Sequence, residues 1–387
     1  MGFINVTERM KHFHVPGVSV SYFEHGKIQW SKCFGVLEQG APKKVDDNSI
    51  FHACSISKMI TALCVLKLAQ EGKLDLHKNV NDYLTSWQIP DNEFTEKNKV
   101  TLAHLLSHQA GFYDCEGSFA PYVQGDEIPK PIDILKGTTR YNQEAVMVKY
   151  IPGTDCEYSD AGYSVIALIL EDIFGESIPR IAKRLVFNPL GLQRTFFWEL
   201  NEEQLEQGQP DQGHLFQGQL NKGQPNQEQL NQGQLNQCYV KHINLTDCVV
   251  GHDNNGDIVD ETRACYPNIE GAALWTTPNE LALIVLDLIK AYHGKDSKIL
   301  NSEMGRFMLT PFGCVTDVGM GVFLEADEAG KPYFYSQGWG VGMQCKLRAY
   351  YQDQRGVVVM TNSEPGMEQD ESLIGGIIHH VSTYLSL

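Results

Sequence analysis

Between Phe51 and Gly72 apolar side chains recur at helical spacing, at Ile56, Met59 and Ile60, Leu63 and Cys64, and Leu66. Gly72 stands where a C-terminal cap is expected, so the run predicts a helix that starts near Ser55 and must bury an apolar stripe. At its head Ser55 and Lys58 lie three residues apart and share a helix face. A serine in the first turn has its oxygen near unpaired amide hydrogens and the positive end of the helix dipole, which stabilise developing negative charge. An ammonium held against it in a semi-buried groove loses solvation, its pKa falls, and it can accept or relay the serine's proton. That chemistry makes Ser55 a nucleophile. The plain alternative is an N-capping serine followed by a solvated lysine, and a tetrad with two fixed positions does not exclude it.

The chain has no other Ser-x-x-Lys, and this one runs on into Gly72-Lys73-Leu74-Asp75-Leu76 and then Val80, Tyr83 and Leu84. The whole stretch resembles the serine beta-lactamase class C family, which also holds penicillin-binding proteins, D-amino-acid peptidases and carboxylesterases. The likeness takes in residues 10–200 and 245–385. It implies an α/β (α+β) fold, an antiparallel sheet flanked by helices with an inserted helical domain. On that reading residues 1–387 form one catalytic domain. Its sheet subdomain takes residues 1–54 and 245–387, its helical subdomain 55–200, and a low-complexity insertion 201–237.

Charge and composition narrow the setting. The net charge is −17, from 48 acidic and 31 basic residues, which argues against nucleic acid or an anionic membrane as partner. No run of eighteen or more apolar residues occurs, so no membrane-spanning segment is expected. The first eleven residues are too polar for a signal peptide, and Val6 breaks the myristoylation pattern. Ten cysteines are scattered without the spacing of a disulfide framework, which favours reduced thiols and a cytoplasmic location. Members of the family are often exported, and a trimmed signal peptide would place the protein outside.

Residues 18–23 and 28–34 read as a hairpin turned at Glu24 to Lys27. His12 and His14 precede it and lack a third ligand, so they read as solvated or packed side chains. A short helix capped by Thr101 and stopped at Gly111 contains His108, which the resemblance makes a structural loop residue. Residues 113–142 lack periodicity and are expected as a loop over the site. A Pro152-Gly153 turn then leads to an apolar helix ending at Gly175.

At this point the family carries its second element, Tyr-x-Asn. The resemblance makes Tyr158 the general base, positioned by Lys58 so that its phenolate is favoured. Asp160 takes the asparagine's place, and a carboxylate only accepts where an amide can donate to a substrate carbonyl. Two competitors exist. Tyr266-Pro267-Asn268 is a literal Tyr-x-Asn, and Ser159-Asp160-Ala161 mimics Ser-Asp-Asn but lacks the amide.

From 201 to 237 Leu or Pro recurs every five residues among Gln, Gly, Asn and Glu. So polar a tract is expected to be disordered, an insertion in a surface loop that offers a place for a protein partner. Beyond it, Asn255-Gly256 suggests a hairpin turn. Position twelve of a calcium loop begun at Asp253 is Ala264, which excludes that reading, and Cys238, His242, Cys248 and His252 have only a faint zinc spacing. No metal and no cofactor is expected. Thr277-Pro278-Asn279-Glu280 is a capping box, and the chain ends in a four-stranded meander and a helix near 372–385.

The family's third element is a strand bearing Lys-Thr-Gly or His-x-Gly. Here the matching segment is Ser336-Gln337-Gly338-Trp339, with Ser336 in place of the cation. Together these four and Asp160 form the expected substrate-binding set, with Ser55, Lys58 and Tyr158 as the catalytic set. Backbone amides of Ser55 and Trp339 are the expected oxyanion hole. Lys346 or Arg348 on the following strand is a candidate replacement for the lost charge. The resulting expectation is a serine hydrolase that forms an acyl-enzyme on Ser55 with a small ester or amide. Its rivals are a catalytically impaired binding or regulatory protein on the same scaffold, and a beta-lactamase or D-amino-acid peptidase.

Overall fold

The computed structural model describes residues 4–123, 126–199, 245–259 and 264–384. The 201–237 repeat, Cys238 and His242 lie outside them. Strand β1 (Gly17–Glu24) and β2 (Lys27–Gly35) make the expected hairpin. Its loop residues His25 and Gly26 have φ of 51° and 80°, the left-handed backbone that a two-residue hairpin demands.

The rest of the sheet comes from the other end of the chain: β6 (Phe323–Ala326), β7 (Pro332–Gly340), β8 (Met343–Tyr350) and β9 (Arg355–Thr361). All pairs are antiparallel, and the order is β2-β1-β9-β8-β7-β6. Alternation decides what each face buries. Val18, Val20, Val357 and Val359 meet Leu373, Ile377 and Val381 of the C-terminal helix (Leu373–Tyr384), with Val6 and Met10 of the first helix, α1 (Val6–His12). Val358, Met360, Cys345 and Leu347 face the opposite way and join the main core.

At the centre of that core runs α2 (Ser57–Gln70). It is buried on every side, Ser57, Lys58 and Thr61 included, where the sequence pattern suggested a stripe. The expected start near Ser55 is also corrected. Ser57 Oγ donates to Cys54 O at 2.6 Å and accepts from Leu274 N–H at 2.9 Å, which draws the chain into a tight turn ahead of the helix. Ser55 therefore stands on a strand-to-helix turn between β3 (Phe51–Cys54) and α2. Strand β3 belongs to a second, three-stranded sheet with β4 (Phe196–Phe197) and β5 (Leu274–Thr276), in the order β3-β5-β4.

Between β3 and β4 come α3 (Leu102–Leu106), α4 (Pro131–Leu135), α5 (Asp160–Phe174), α6 (Ile178–Ala182) and α7 (Asn188–Leu190). Helix α3 has the Thr101 cap but ends before Gly111, because His108 adopts φ 59°. Helix α5 is capped by Ser159 and closes on left-handed Gly175, as its sequence signals require. After β4 follow α8 (Ile269–Ala272), α9 (Pro278–Tyr292) and α10 (Ser302–Met308); the C-terminal helix is α11.

None of the nine cysteines among the described residues is in a disulfide, and no helix there is long and apolar enough to cross a membrane. The Asp253 carboxylate is taken up by the backbone N–H groups of Asn255 and Asp257. His252 is buried, bonded to Asn362 O and Gln39 N.

Candidate active site

Three segments distant in sequence converge on Ser55. The first is α2 itself. Lys58 Nζ lies 3.4 Å from Ser55 Oγ, 3.0 Å from Gly271 O and 2.6 Å from Asp160 Oδ1. Its side chain is only 4% exposed, so all three protons of the ammonium are directed at protein acceptors.

The second segment enters α5. Tyr158 precedes the helix, with its ring 4.9 Å from Lys58 Nζ and its hydroxyl within electrostatic reach of Lys58 and Ser55. The ring packs at 4.5 Å on His108, whose Nδ1 accepts from Ser159 N–H at 3.2 Å. Asp114 ties this entry down. Its carboxylate accepts from Ser159 Oγ at 2.9 Å, Asp160 N–H at 2.5 Å and Ala161 N–H at 3.2 Å. Tyr266, the rival tyrosine, is elsewhere: its hydroxyl accepts from Val341 N–H and its ring stacks on His52. Asn268, from the same literal motif, does reach the site and donates through Nδ2 to Asp160 Oδ1 at 3.0 Å. Asn268, Gly271 and Asp114 were not singled out from the sequence as site residues; only the Tyr-x-Asn string pointed to the first.

The electrostatics reverse one expectation. Burial alone pulls the Lys58 ammonium down, but the adjacent Asp160 carboxylate outweighs it and Lys58 is raised well above the ordinary lysine range. Burial pushes the Tyr158 phenol up, the Lys58 charge opposes, and Asp160 adds to the rise. Tyr158 is still 42% exposed, which tempers the first of these. Burial and the Lys58 charge push His108 down to about 3, so its ring is neutral. Behind Lys58, buried Glu270 is pushed up to about 7 by desolvation, although it accepts from Ser164 Oγ at 2.6 Å. Cys54, next to Ser55, is desolvated as well. Its contacts with Cys345 and His52 and the Lys58 field prevail and lower the thiol to about 5.

The third segment is β7. A Cβ on Gly338 would lie 2.3 Å from Ala53 O and 2.8 Å from Cys54 Cβ, so only glycine lets this strand lie against the turn that carries Ser55. Gly340 likewise faces Cys54 Sγ. By alternation Ser336, buried at 4% exposure, shares this face, and Gln337 and Trp339 share the other. Trp339 is 42% exposed. Gln337 pairs in register with Lys346, which puts Lys346 on the face away from Ser336. There its Nζ holds Asp370 at 2.6 Å and sits 5.1 Å from the Tyr335 ring, while Arg348 lies over Tyr333. Neither cation takes the place Ser336 leaves empty of charge.

The fold is shared with known solved structures. The octameric penicillin-binding protein homologue from Pyrococcus abyssi superposes with a TM-score of 0.70 at 21% identity, over 98% of this chain and 75% of that one. A beta-lactamase/D-alanine carboxypeptidase from Yersinia pestis gives 0.70 at 15% identity, over 98% and 96%. The family model described as Beta-lactamase matches residues 5–381, and the chain belongs to that family of serine hydrolases. Among curated relatives, penicillin-binding protein 4 of Amycolatopsis lactamdurans is 30% identical over 51% of this chain and 48% of its own length. Protein flp of Staphylococcus aureus is 25% identical over 49% and 36%. The chain thus spans about half or less of the length of these relatives.

Proposed function

We propose that the protein hydrolyses small neutral esters or amides through an acyl-enzyme on Ser55. The observation that carries this reading is the Ser55, Lys58 and Tyr158 cluster set beside a β7 wall that offers no cation at Ser336. Tyr158, as phenolate, takes the Ser55 proton while Oγ attacks the carbonyl carbon. The developing oxyanion is met by the amides of Ser55 and Trp339; the former makes no hydrogen bond among the described residues. Collapse breaks the bond to the leaving group, which takes the proton back from Tyr158. Water then attacks the acyl carbon, giving its proton to Tyr158; the acyl–Oγ bond breaks, and Tyr158 returns the proton to Ser55 Oγ. Lys58 stays an ammonium throughout and steadies the charge on both oxygens.

Active-site labelling with a fluorophosphonate tests the nucleophile, since only an activated serine reacts. Turnover of p-nitrophenyl butyrate against nitrocefin tests the substrate class. No labelling at any pH from 6 to 10.5 overturns the reading. One observation favours a second: Asp160 occupies Lys58 at 2.6 Å, and a pair so locked suits a binding protein on the same scaffold. That protein binds acyl compounds without covalent labelling.

A further inference from the structure

We infer that Asp160, held in place by Asn268 and Gly271, is a positioning residue that neutralises Lys58 and thereby sets the pH at which Tyr158 serves as base. The inference rests on the acyl-enzyme reading above and concerns how that site is tuned.

The geometry is specific. Asp160 Oδ1 receives both Lys58 Nζ at 2.6 Å and Asn268 Nδ2 at 3.0 Å. Gly271 closes the cluster: a Cβ there would stand 2.8 Å from Asp160 Oδ1, 3.0 Å from Asn268 Nδ2 and 3.4 Å from Lys58 Nζ. Asn268 is 2% exposed and its Oδ1 has no partner, so the amide is kept in the interior for the bond its nitrogen makes. Asp160 is thus turned inward to Lys58. An asparagine in its place could keep a hydrogen bond to Lys58 but not the charge.

Consider what then acts on Tyr158. Lys58 donates to Asp160, Gly271 O and Ser55 Oγ, so it has no lone pair with which to take the serine's proton. The Ser55 hydroxyl already accepts from Lys58, which leaves the neighbouring Tyr158 oxygen as the base for its proton. A lone ammonium 4.9 Å from the ring would favour the phenolate strongly, but the Asp160 carboxylate paired with it offsets part of that field. The other groups facing Tyr158 do not compensate. His108 is neutral, Tyr163 on α5 is a buried phenol, Phe323 is apolar, and Asp114 and Glu270 lie beyond as further acids. Tyr158 is therefore a base that operates at alkaline pH in this chain, and Asp160 is what holds it there.

The test is the pH profile of fluorophosphonate labelling for the wild type, Asp160→Asn, Asp160→Ser and Asp160→Glu, alongside titration of Tyr158 by [13Cζ]tyrosine NMR, assigned with Tyr158→Phe. Removing the charge is expected to move the midpoint of the labelling profile and of the Tyr158 resonance down by about one unit or more, hence about tenfold faster labelling at pH 7. Asp160→Glu, which keeps the charge, is expected to keep the wild-type midpoint, which a merely structural role would not predict. Labelling with profiles unchanged in both neutral variants overturns this inference and leaves Ser55 acylation standing. Failure of every protein to label overturns both. The wild type is decisive even if the neutral variants do not fold, because a Tyr158 resonance that titrates below pH 8 shows that Asp160 does not hold the phenol protonated.

Discussion

Two walls of one cleft are built on different principles. The Ser55 wall is a network in which Ser55, Asp160, Asn268 and Asp114 are joined by hydrogen bonds around buried Lys58, with the Tyr158 ring 4.9 Å from the Lys58 Nζ. The β7 wall is a backbone feature, a strand brought against the Ser55 turn by Gly338 and Gly340, with Ser336 buried and Trp339 exposed. Charge is concentrated on the first and missing from the second. On the proposed mechanism proton transfer belongs to the first wall, and the second presents amides and apolar surface to a neutral substrate.

The largest effect separates the walls outright. Ser55→Ala should abolish fluorophosphonate labelling and cut ester turnover by more than about a thousandfold. The melting temperature should barely move, since Ser55 Oγ caps no helix and its side-chain contact is the 3.4 Å one with Lys58. Full turnover by the alanine variant removes Ser55 from the mechanism.

A second asymmetry lies in pH. The native Glu270 carboxyl keeps its proton up to about 7. An unfolded chain releases it near the ordinary glutamate value, so between those pH values the native state holds more protons and stability falls as pH rises. The full contribution is present below that window and is lost above it, up to roughly 3 kcal/mol. Urea unfolding at pH 4.5 and 7.5 should show that slope in the wild type and a shallower one in Glu270→Gln. Equal slopes would mean that the buried acid is not titrating.

Ser336→Lys tests the cationless wall. A charge-assisted hydrogen bond contributes about 1.5–3 kcal/mol, so nitrocefin hydrolysis should rise about ten- to a hundredfold relative to p-nitrophenyl butyrate. Efficient nitrocefin hydrolysis by the wild type would defeat the contrast.

Gly338→Ala adds a methyl group where Ala53 O stands at 2.3 Å. Overpacking of this kind costs about 1–3 kcal/mol, and turnover of both substrates should fall together as β7 is pushed away from the Ser55 turn. A loss confined to one substrate would assign the glycine to substrate contact instead.

The smallest effect is a control. Asp370→Ala unpairs Lys346, whose side chain is only 4% exposed, on the far face of the sheet, and substrate preference should change by less than about twofold because strand register keeps the charge on that face. A clear gain toward nitrocefin would show that Lys346 can swing into the cleft and supply the missing charge.

Local signals read from the sequence account for much of the fold. The hairpin at His25-Gly26, the caps at Thr101 and Thr277, the stop at Gly175 and the C-terminal meander are short-range effects of φ preference, side-chain oxygens and alternation. That Ser55 and Lys58 lie side by side was legible from helical spacing, and the family resemblance pointed to Tyr158 beside them; their chemical roles belong to the proposal. What the sequence could not supply is the state of those groups. Lys58 alone reads as an amine whose pKa falls on burial; it rises because Asp160, 102 positions away, is brought to 2.6 Å. Asn268 looked like a competitor for the motif and is a partner to it, since folding sets α8 beside α5 and turns its amide onto Asp160. Lys346 and Arg348 looked like spare cations until strand register placed Lys346 opposite Gln337, on the wrong face. Residue type and spacing determine which groups can react. Burial and Coulomb interactions depend on distances that only the tertiary structure fixes, and they decide which of those groups carry charge.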